Sequence, residues 1–166
     1  MKNIILIGMP GCGKTTVGKS LAKALDFNFF DCDAVLEKTE KTTIPQIFES
    51  FGEDYFRQLE TKTLSALSTK ENSVISTGGG VVERKENLDI LKNMGIVIFI
   101  NRPLENILQD VDTSNRPLLK DGKDRLIRLY ERRFNLYRLA CHIEIENSST
   151  LDNVVAKIID EVKKNG

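Results

Sequence analysis

Short aliphatic and β-branched runs alternate with helical patterns along the whole 166-residue chain. Asn3–Ile7 is a continuous apolar run closed by glycine, which predicts a strand buried on both faces. Val17, Leu21, Ala24 and Leu25 recur at helical spacing over 14–25, with Lys19 and Lys23 on the outer face. A short strand over 28–30 ends at Asp31, and helical segments fill 34–69 with breaks near Thr42-Thr43 and Gly52. The third strand, 73–76, runs into Gly78-Gly79-Gly80. A helix over 85–93 leads to the clearest strand, 96–100, and Pro103 suits the first turn of the helix that follows. Residues 112–123 are polar, contain Pro117 and Gly122, and predict a loop. A long helix then runs to about Ala140, followed by a strand over 142–145 and a last helix over 151–164.

The strand-then-helix unit recurs five times, which predicts a single α/β domain whose parallel sheet is covered by helices on both faces. In such folds ligands gather beyond the carboxyl ends of the strands, so the residues just after each strand carry the chemistry. Composition narrows the partners. Lys+Arg and Asp+Glu are equal at 24 each, which argues against a general nucleic-acid binder. No apolar run reaches the roughly 20 residues a membrane span needs, and the first residues do not form a secretory signal, so the expectation is a cytoplasmic protein with no membrane partner. Three scattered cysteines and one histidine give neither a disulfide framework nor a zinc pattern.

The strongest chemical signal is Gly8-Met9-Pro10-Gly11-Cys12-Gly13-Lys14-Thr15, which fits G-x-x-x-x-G-K-[ST] between a predicted strand and a predicted helix. Glycines let successive N–H groups turn inward around phosphate oxygens at a helix N-terminus. Lys14 is expected to reach the β- and γ-phosphates, and the Thr15 hydroxyl to coordinate Mg²⁺. Cys12 is either a small residue that fits the loop or a thiol activated by the helix terminus. Among the strands near this loop, only the second ends in acids, Asp31-Cys32-Asp33. In extended chain these two carboxylates share a side. Asp31 then assists the metal and Asp33 accepts a proton from an attacking hydroxyl; the competing reading makes Asp33 the cap of a helix starting at Ala34.

Arg57 lies three residues before Glu60 on a predicted helix, a spacing that lets the carboxylate orient the guanidinium. Arg116 stands inside the polar loop, where an arginine can close over a γ-phosphate. Arg132 and Arg133 follow on the long helix, Arg132 reading as a solvated residue. The glycine triplet permits close backbone approach to an oxygen-rich ligand. Phe48 and Phe56 either wall a pocket or pack a core.

Together these features resemble the shikimate kinase family. The resemblance rests on GMPGCGKTT at 8–16, DCD at 31–33, FRQLE at 56–60, GGG at 78–80, RPLL at 116–119, and the arginine four residues before Tyr137. It implies a P-loop NTPase of three-layer α/β/α type, nucleoside-monophosphate-kinase-like, on a five-stranded parallel sheet in the order 2-3-1-4-5. It further implies a monomer that binds ATP and shikimate and transfers the γ-phosphate to the 3-hydroxyl of shikimate, with Mg²⁺. By resemblance Lys14, Asp33 and Arg116 are catalytic. ATP is held by Gly11, Cys12, Gly13, Lys14, Thr15, Thr16 and Arg116; shikimate by Asp33, Arg57, Gly79, Gly80 and Arg133. Thr15, with Asp31 through water, places the metal. Residues 34–60 form a substrate lobe and 112–123 a lid within one domain over 1–166. Two positions depart from the family pattern: Gln109 stands where an arginine usually packs near adenine, and Leu151 where the adenine loop usually has proline. Two other readings remain beside this one: a P-loop kinase for another hydroxy acid such as gluconate, and a nucleotide-binding module without catalysis.

Overall fold

In the computed structural model, residues 2–113 and 120–166 are described, with side chains left aside at 111–113 and 120–121. Five parallel strands form one sheet: β1 (Asn3–Ile7), β2 (Asn28–Asp31), β3 (Ser73–Ser76), β4 (Gly95–Asn101) and β5 (Ile143–Glu146), ordered β2-β3-β1-β4-β5. Ile4 pairs with Val74 on one side and Ile96 on the other, so β1 is central. Every residue of β1 and β3 is buried, the pattern of a sheet covered on both faces. Edge strand β5 alternates instead, with Ile143 and Ile145 inward and Glu144 and Glu146 outward.

The helices are α1 (Lys14–Leu25), α2 (Cys32–Glu40), α3 (Ile44–Phe51), α4 (Glu53–Leu67), α5 (Lys85–Met94), α6 (Leu104–Thr113), α7 (Lys120–Ala140) and α8 (Leu151–Asn165), with a 3₁₀ turn at Val81–Glu83. Helices α1 and α8 pack together against the sheet, while α5 and α7 pack on each other and on β4. The predicted order 2-3-1-4-5 and the three layers are therefore present. Helices α2, α3 and α4 carry their own small core of Leu36, Ile47, Phe56 and Leu59. Among the described residues, no helix is long and apolar enough to cross a membrane.

Two differences from the sequence reading bear on the site. Helix α2 begins at Cys32, not Ala34, because the Asp31 side chain accepts from the N–H groups of Asp33 and Ala34 and caps the helix. Helix α7 begins at Lys120, so part of the expected 112–123 loop is helical and Gly122 lies inside a helix. Tertiary packing of the long helix against β4 and α5 outweighs the low helix propensity of one glycine.

Candidate active site

The loop between β1 and α1 turns on glycines. Gly11 (φ 80°) and Gly13 (φ 98°) hold left-handed backbone that strains other residues, and a side chain at Gly13 would strike Asn147 Nδ2 at 2.8 Å. This turn aims the free N–H groups of α1 into a cavity of about 330 Å³ lined by Gly11, Gly13, Lys14, Thr15 and Thr16. Lys14 is buried, and its Nζ donates to the carbonyls of Gly8 (2.7 Å) and Met9 (2.9 Å). The Cys12 side chain is wholly buried in the core and its sulfur sits 3.7 Å from Lys14 Nζ. The Cys12 thiol is thus packing, and its backbone N–H donates within the loop to the Met9 carbonyl at 3.1 Å.

Asp31 and Asp33 line the same cavity from the opposite wall. Their alignment does not come from extended chain, as the spacing suggested. Asp31 is the cap of α2, and Asp33 sits in the first helical turn, so capping is Asp31's role and not Asp33's. The Asp31 carboxylate is divided: Oδ1 holds the helix N–H groups at 2.9 and 3.3 Å, and Oδ2 accepts from the Thr15 hydroxyl at 3.4 Å. Asp33 keeps its carboxylate for the cavity. Burial first, and the nearby Asp31 charge second, push its pKa above the ordinary 3.8, against the pull of Lys14 and Arg57. Between them, Cys32 has its thiol held protonated by burial and by the flanking carboxylates.

The glycine triplet has a cause the sequence did not reveal. A Cβ on Gly78 would lie 2.9 Å from Glu60 Oε2 and 3.1 Å from Asp33 Oδ1. On Gly79 it would meet Pro10 at 2.7 Å and Arg133 Nη1 at 3.2 Å. On Gly80 it would collide with the Arg57 guanidinium, at 2.5 Å from Nη2 and 2.6 Å from Cζ. The bare backbone thus admits four charged heads to one bend, beside the phosphate loop. Arg57 donates from Nη1 to Glu60 Oε1 at 2.9 Å, the expected i,i+3 pair, and Glu60 is only 4% exposed. Burial raises the Glu60 pKa while Arg57 opposes it. Phe56 packs the core of the α2–α4 lobe, with Arg57 5.2 Å over its ring; the Phe48 ring lies tilted against it, 4.8 Å between centroids, and is exposed.

Several site residues escaped the sequence reading. Tyr137, fully buried on α7, donates from its hydroxyl to the Gly79 carbonyl at 2.6 Å and pins the triplet. Asn147 donates to the Cys12 carbonyl at 2.8 Å, bracing the phosphate loop from the segment after β5. Arg102 donates to the Gly11 carbonyl at 2.9 Å and pairs with Asp110 at 2.7 Å. Arg102, Asp110, Asn147 and Leu151 line a second cavity, about 500 Å³, that adjoins the phosphate loop at Gly11 and Gly13. It is the size of a small-ligand pocket. Leu151 is the position already singled out in the adenine loop; no short sequence motif marks Arg102 or Asn147. Arg116, with the RPLL segment, lies outside the described residues.

An anion cradle faces a carboxylate of raised pKa across one cavity, which is what phosphoryl transfer to a hydroxyl requires; the class so defined is the P-loop phosphotransferase. The family follows from comparison. The family model described as shikimate kinase matches residues 10–163. A shikimate kinase from Clostridium botulinum is 52% identical over 159 residues, covering 95% of this chain and 96% of that protein. The solved structure of a shikimate kinase from Acinetobacter baumannii in complex with shikimate is 37% identical, with a TM-score of 0.91 over 99% of this chain and 94% of that one. A gluconokinase from Sinorhizobium meliloti is 14% identical with a TM-score of 0.65, a likeness of fold alone. The chain belongs to the shikimate kinase family, phosphotransferases that act on a hydroxyl group.

Proposed function

We propose that this chain transfers the γ-phosphate of ATP to the 3-hydroxyl of shikimate in the route to chorismate and the aromatic amino acids, and that it does so in the cytoplasm. The observation that carries the reading is the glycine triplet, around which Asp33, Arg57 and Arg133 meet beside the phosphate loop. Two guanidinium groups there suit a carboxylate held by parallel hydrogen bonds. A buried carboxylate suits proton removal.

In this reading Arg57 and Arg133 hold the shikimate carboxylate, and the backbone at Gly79 and Gly80 closes against the ring. Asp33 takes the proton of the 3-hydroxyl as its oxygen bonds to the γ-phosphorus and the bond to ADP breaks. The backbone of Gly11, Cys12 and Gly13 binds the phosphates along with Thr16, while Lys14 and Arg116 balance charge on the group in transit. The oxygen donors Thr15 Oγ1 and Asp31 Oδ2, 3.4 Å apart, fit a hard divalent cation that keeps part of its water. Thr15 would hold Mg²⁺ directly and Asp31 through water. When bound, Mg²⁺ supplies charge neutralisation and orientation of the phosphates. Residues 34–60, with their separate core, serve as the substrate lobe and 112–123 as the lid.

The test is ADP release with ATP, Mg²⁺ and shikimate, alongside gluconate and no-acceptor controls. Shikimate-dependent release that is lost in Arg57→Ala is expected. Release with gluconate alone, or release unchanged by that substitution, would refute the assignment.

A further inference from the structure

Glu83 closes the 3₁₀ turn directly after the glycine triplet, with a side chain only 12% exposed. Its Oε2 pairs with Arg132 Nη2 at 3.1 Å, and its Oε1 faces Arg133 Nε at 3.9 Å. Arg133 is 8% exposed at the side chain. Among the described residues, neither Glu83 Oε1 nor Arg133 Nε has a hydrogen-bond partner, and these are the two buried side-chain atoms in that condition. An unmet buried acceptor opposite an unmet buried donor is costly, and the pair stands just beyond hydrogen-bond range. The other edge of the same guanidinium reaches the triplet, with Nη1 3.2 Å from where a Gly79 Cβ would stand. The turn bearing Glu83 is itself fixed from two directions. Asn87 Nδ2 donates to the Val81 carbonyl at 3.0 Å, and Tyr137 holds Gly79.

We infer that Glu83 is a positioning residue for acceptor binding: its carboxylate holds Arg133 by the Nε edge and so presents the two Nη groups to the carboxylate of the substrate. The pair closes to hydrogen-bond distance when that carboxylate draws Arg133 into place. This inference rests on the reading that Arg133 binds the shikimate carboxylate. It makes a prediction opposite in sign to simple charge. Removing an anion beside Arg133 leaves the potential there more positive, so if charge alone mattered shikimate would bind more tightly. If Glu83 positions the fork, shikimate binds more weakly.

The experiment compares Glu83→Ala, Glu83→Gln and Arg133→Ala by steady-state kinetics, with thermal melts to verify folding. Glu83→Ala is expected to raise the KM for shikimate about 10-fold, the scale of one charge-assisted hydrogen bond. Its kcat and its KM for ATP stay within about 2-fold. Glu83→Gln retains an amide oxygen at the same reach and recovers part of the loss. It also tests the inference if the alanine variant does not fold. A shikimate KM that is unchanged or lower in the folded Glu83 variants overturns the inference. If Arg133→Ala raises the shikimate KM while the Glu83 variants do not, only the role of Glu83 fails. If Arg133→Ala leaves it unchanged, the underlying reading of the site fails.

Discussion

Gly80→Ala isolates the contact between the glycine triplet and Arg57, the arginine proposed to hold the acceptor. Gly80 has φ −93° and ψ 8°, on the negative side of φ that alanine also occupies, so the substitution carries no left-handed strain. What it adds is one methyl, aimed at the Arg57 guanidinium with only 2.5 Å to Nη2 and 2.6 Å to Cζ. The guanidinium must move. Its side chain is 12% exposed, its Nη1 bond to Glu60 is 2.9 Å long, and Glu60 is buried, so movement breaks a charged hydrogen bond in a confined place. Such bonds contribute about 1.5–3 kcal/mol. If the displaced head also loses its grip on the acceptor, kcat/KM for shikimate falls by about 10- to 100-fold. The phosphate loop is untouched, so the KM for ATP stays within about 2-fold.

The assay is coupled ADP release with each substrate varied in turn, repeated in an Arg57→Ala background. With no guanidinium to strike, Gly80→Ala adds less than about 0.5 kcal/mol there, the usual error of additivity. The cycle gives a clear failure condition. A full-sized loss in the Arg57→Ala background, or an equal rise in the KM for ATP, would show that the methyl acts through the backbone or the nucleotide instead.

Three further outcomes follow from the same geometry. Asp33→Asn lowers kcat by about 10²- to 10⁴-fold, the range of general-base catalysis. Because the folded state holds the Asp33 proton to higher pH than the unfolded chain, stability falls as pH rises from 3.8 through the raised value. Melting curves should therefore show Asp33→Asn more stable than the parent at pH 7, with the gain disappearing below the ordinary carboxylate value, and parent kcat/KM should fall on acidification with a midpoint above 3.8. Arg102→Ala, which frees the Gly11 carbonyl and strips Asp110 of a partner, raises the KM for ATP about 5-fold and leaves that for shikimate unchanged; titration of ATP at saturating shikimate reads this directly. Tyr137→Phe leaves the Gly79 carbonyl without its donor at a cost of about 1–3 kcal/mol, seen as a lower Tm and a raised KM for shikimate.

The fold was legible because its signal is local. Unbroken apolar runs such as Ile4–Ile7 and Ile96–Ile100 mark strands covered on both faces, and β1, β3 and nearly all of β4 are buried as that pattern implies. The phosphate loop was legible for the same reason, since Gly11, Gly13, Lys14 and Thr15 are near neighbours in the chain and line one cavity through a single local turn. Errors arose where one residue had two local meanings. Asp31 was read only as a metal-side acid, yet one of its oxygens starts α2, which moves Asp33 from extended chain into a helix. Gly122 was read as a loop residue, yet packing carries α7 across it.

The residues that were missed share a different property: each acts across a long sequence separation. Arg102 braces a carbonyl 91 residues away, Asn147 one 135 residues away, and Tyr137 one 58 residues away. No spacing rule along the chain can detect such partners. The glycine triplet lies between the two cases. Its position after a strand announced a close approach, but to a ligand, whereas the first groups it admits are the protein's own: Asp33 and Glu60 at Gly78, Arg133 at Gly79, Arg57 at Gly80. Those heads come from α2 and α4, which share a small core, and from α7, which packs instead on α5 and β4. The bend is therefore the common datum for Asp33, Glu60, Arg57 and Arg133, the charged heads of the proposed acceptor site. A helix that shifts changes its own charged head relative to the triplet, while the phosphate loop, braced separately by Arg102 and Asn147, keeps its place. If the triplet carries the acceptor and the phosphate loop the nucleotide, the two rest on different supports, and substitutions around the triplet are expected to separate the two Michaelis constants instead of moving them together.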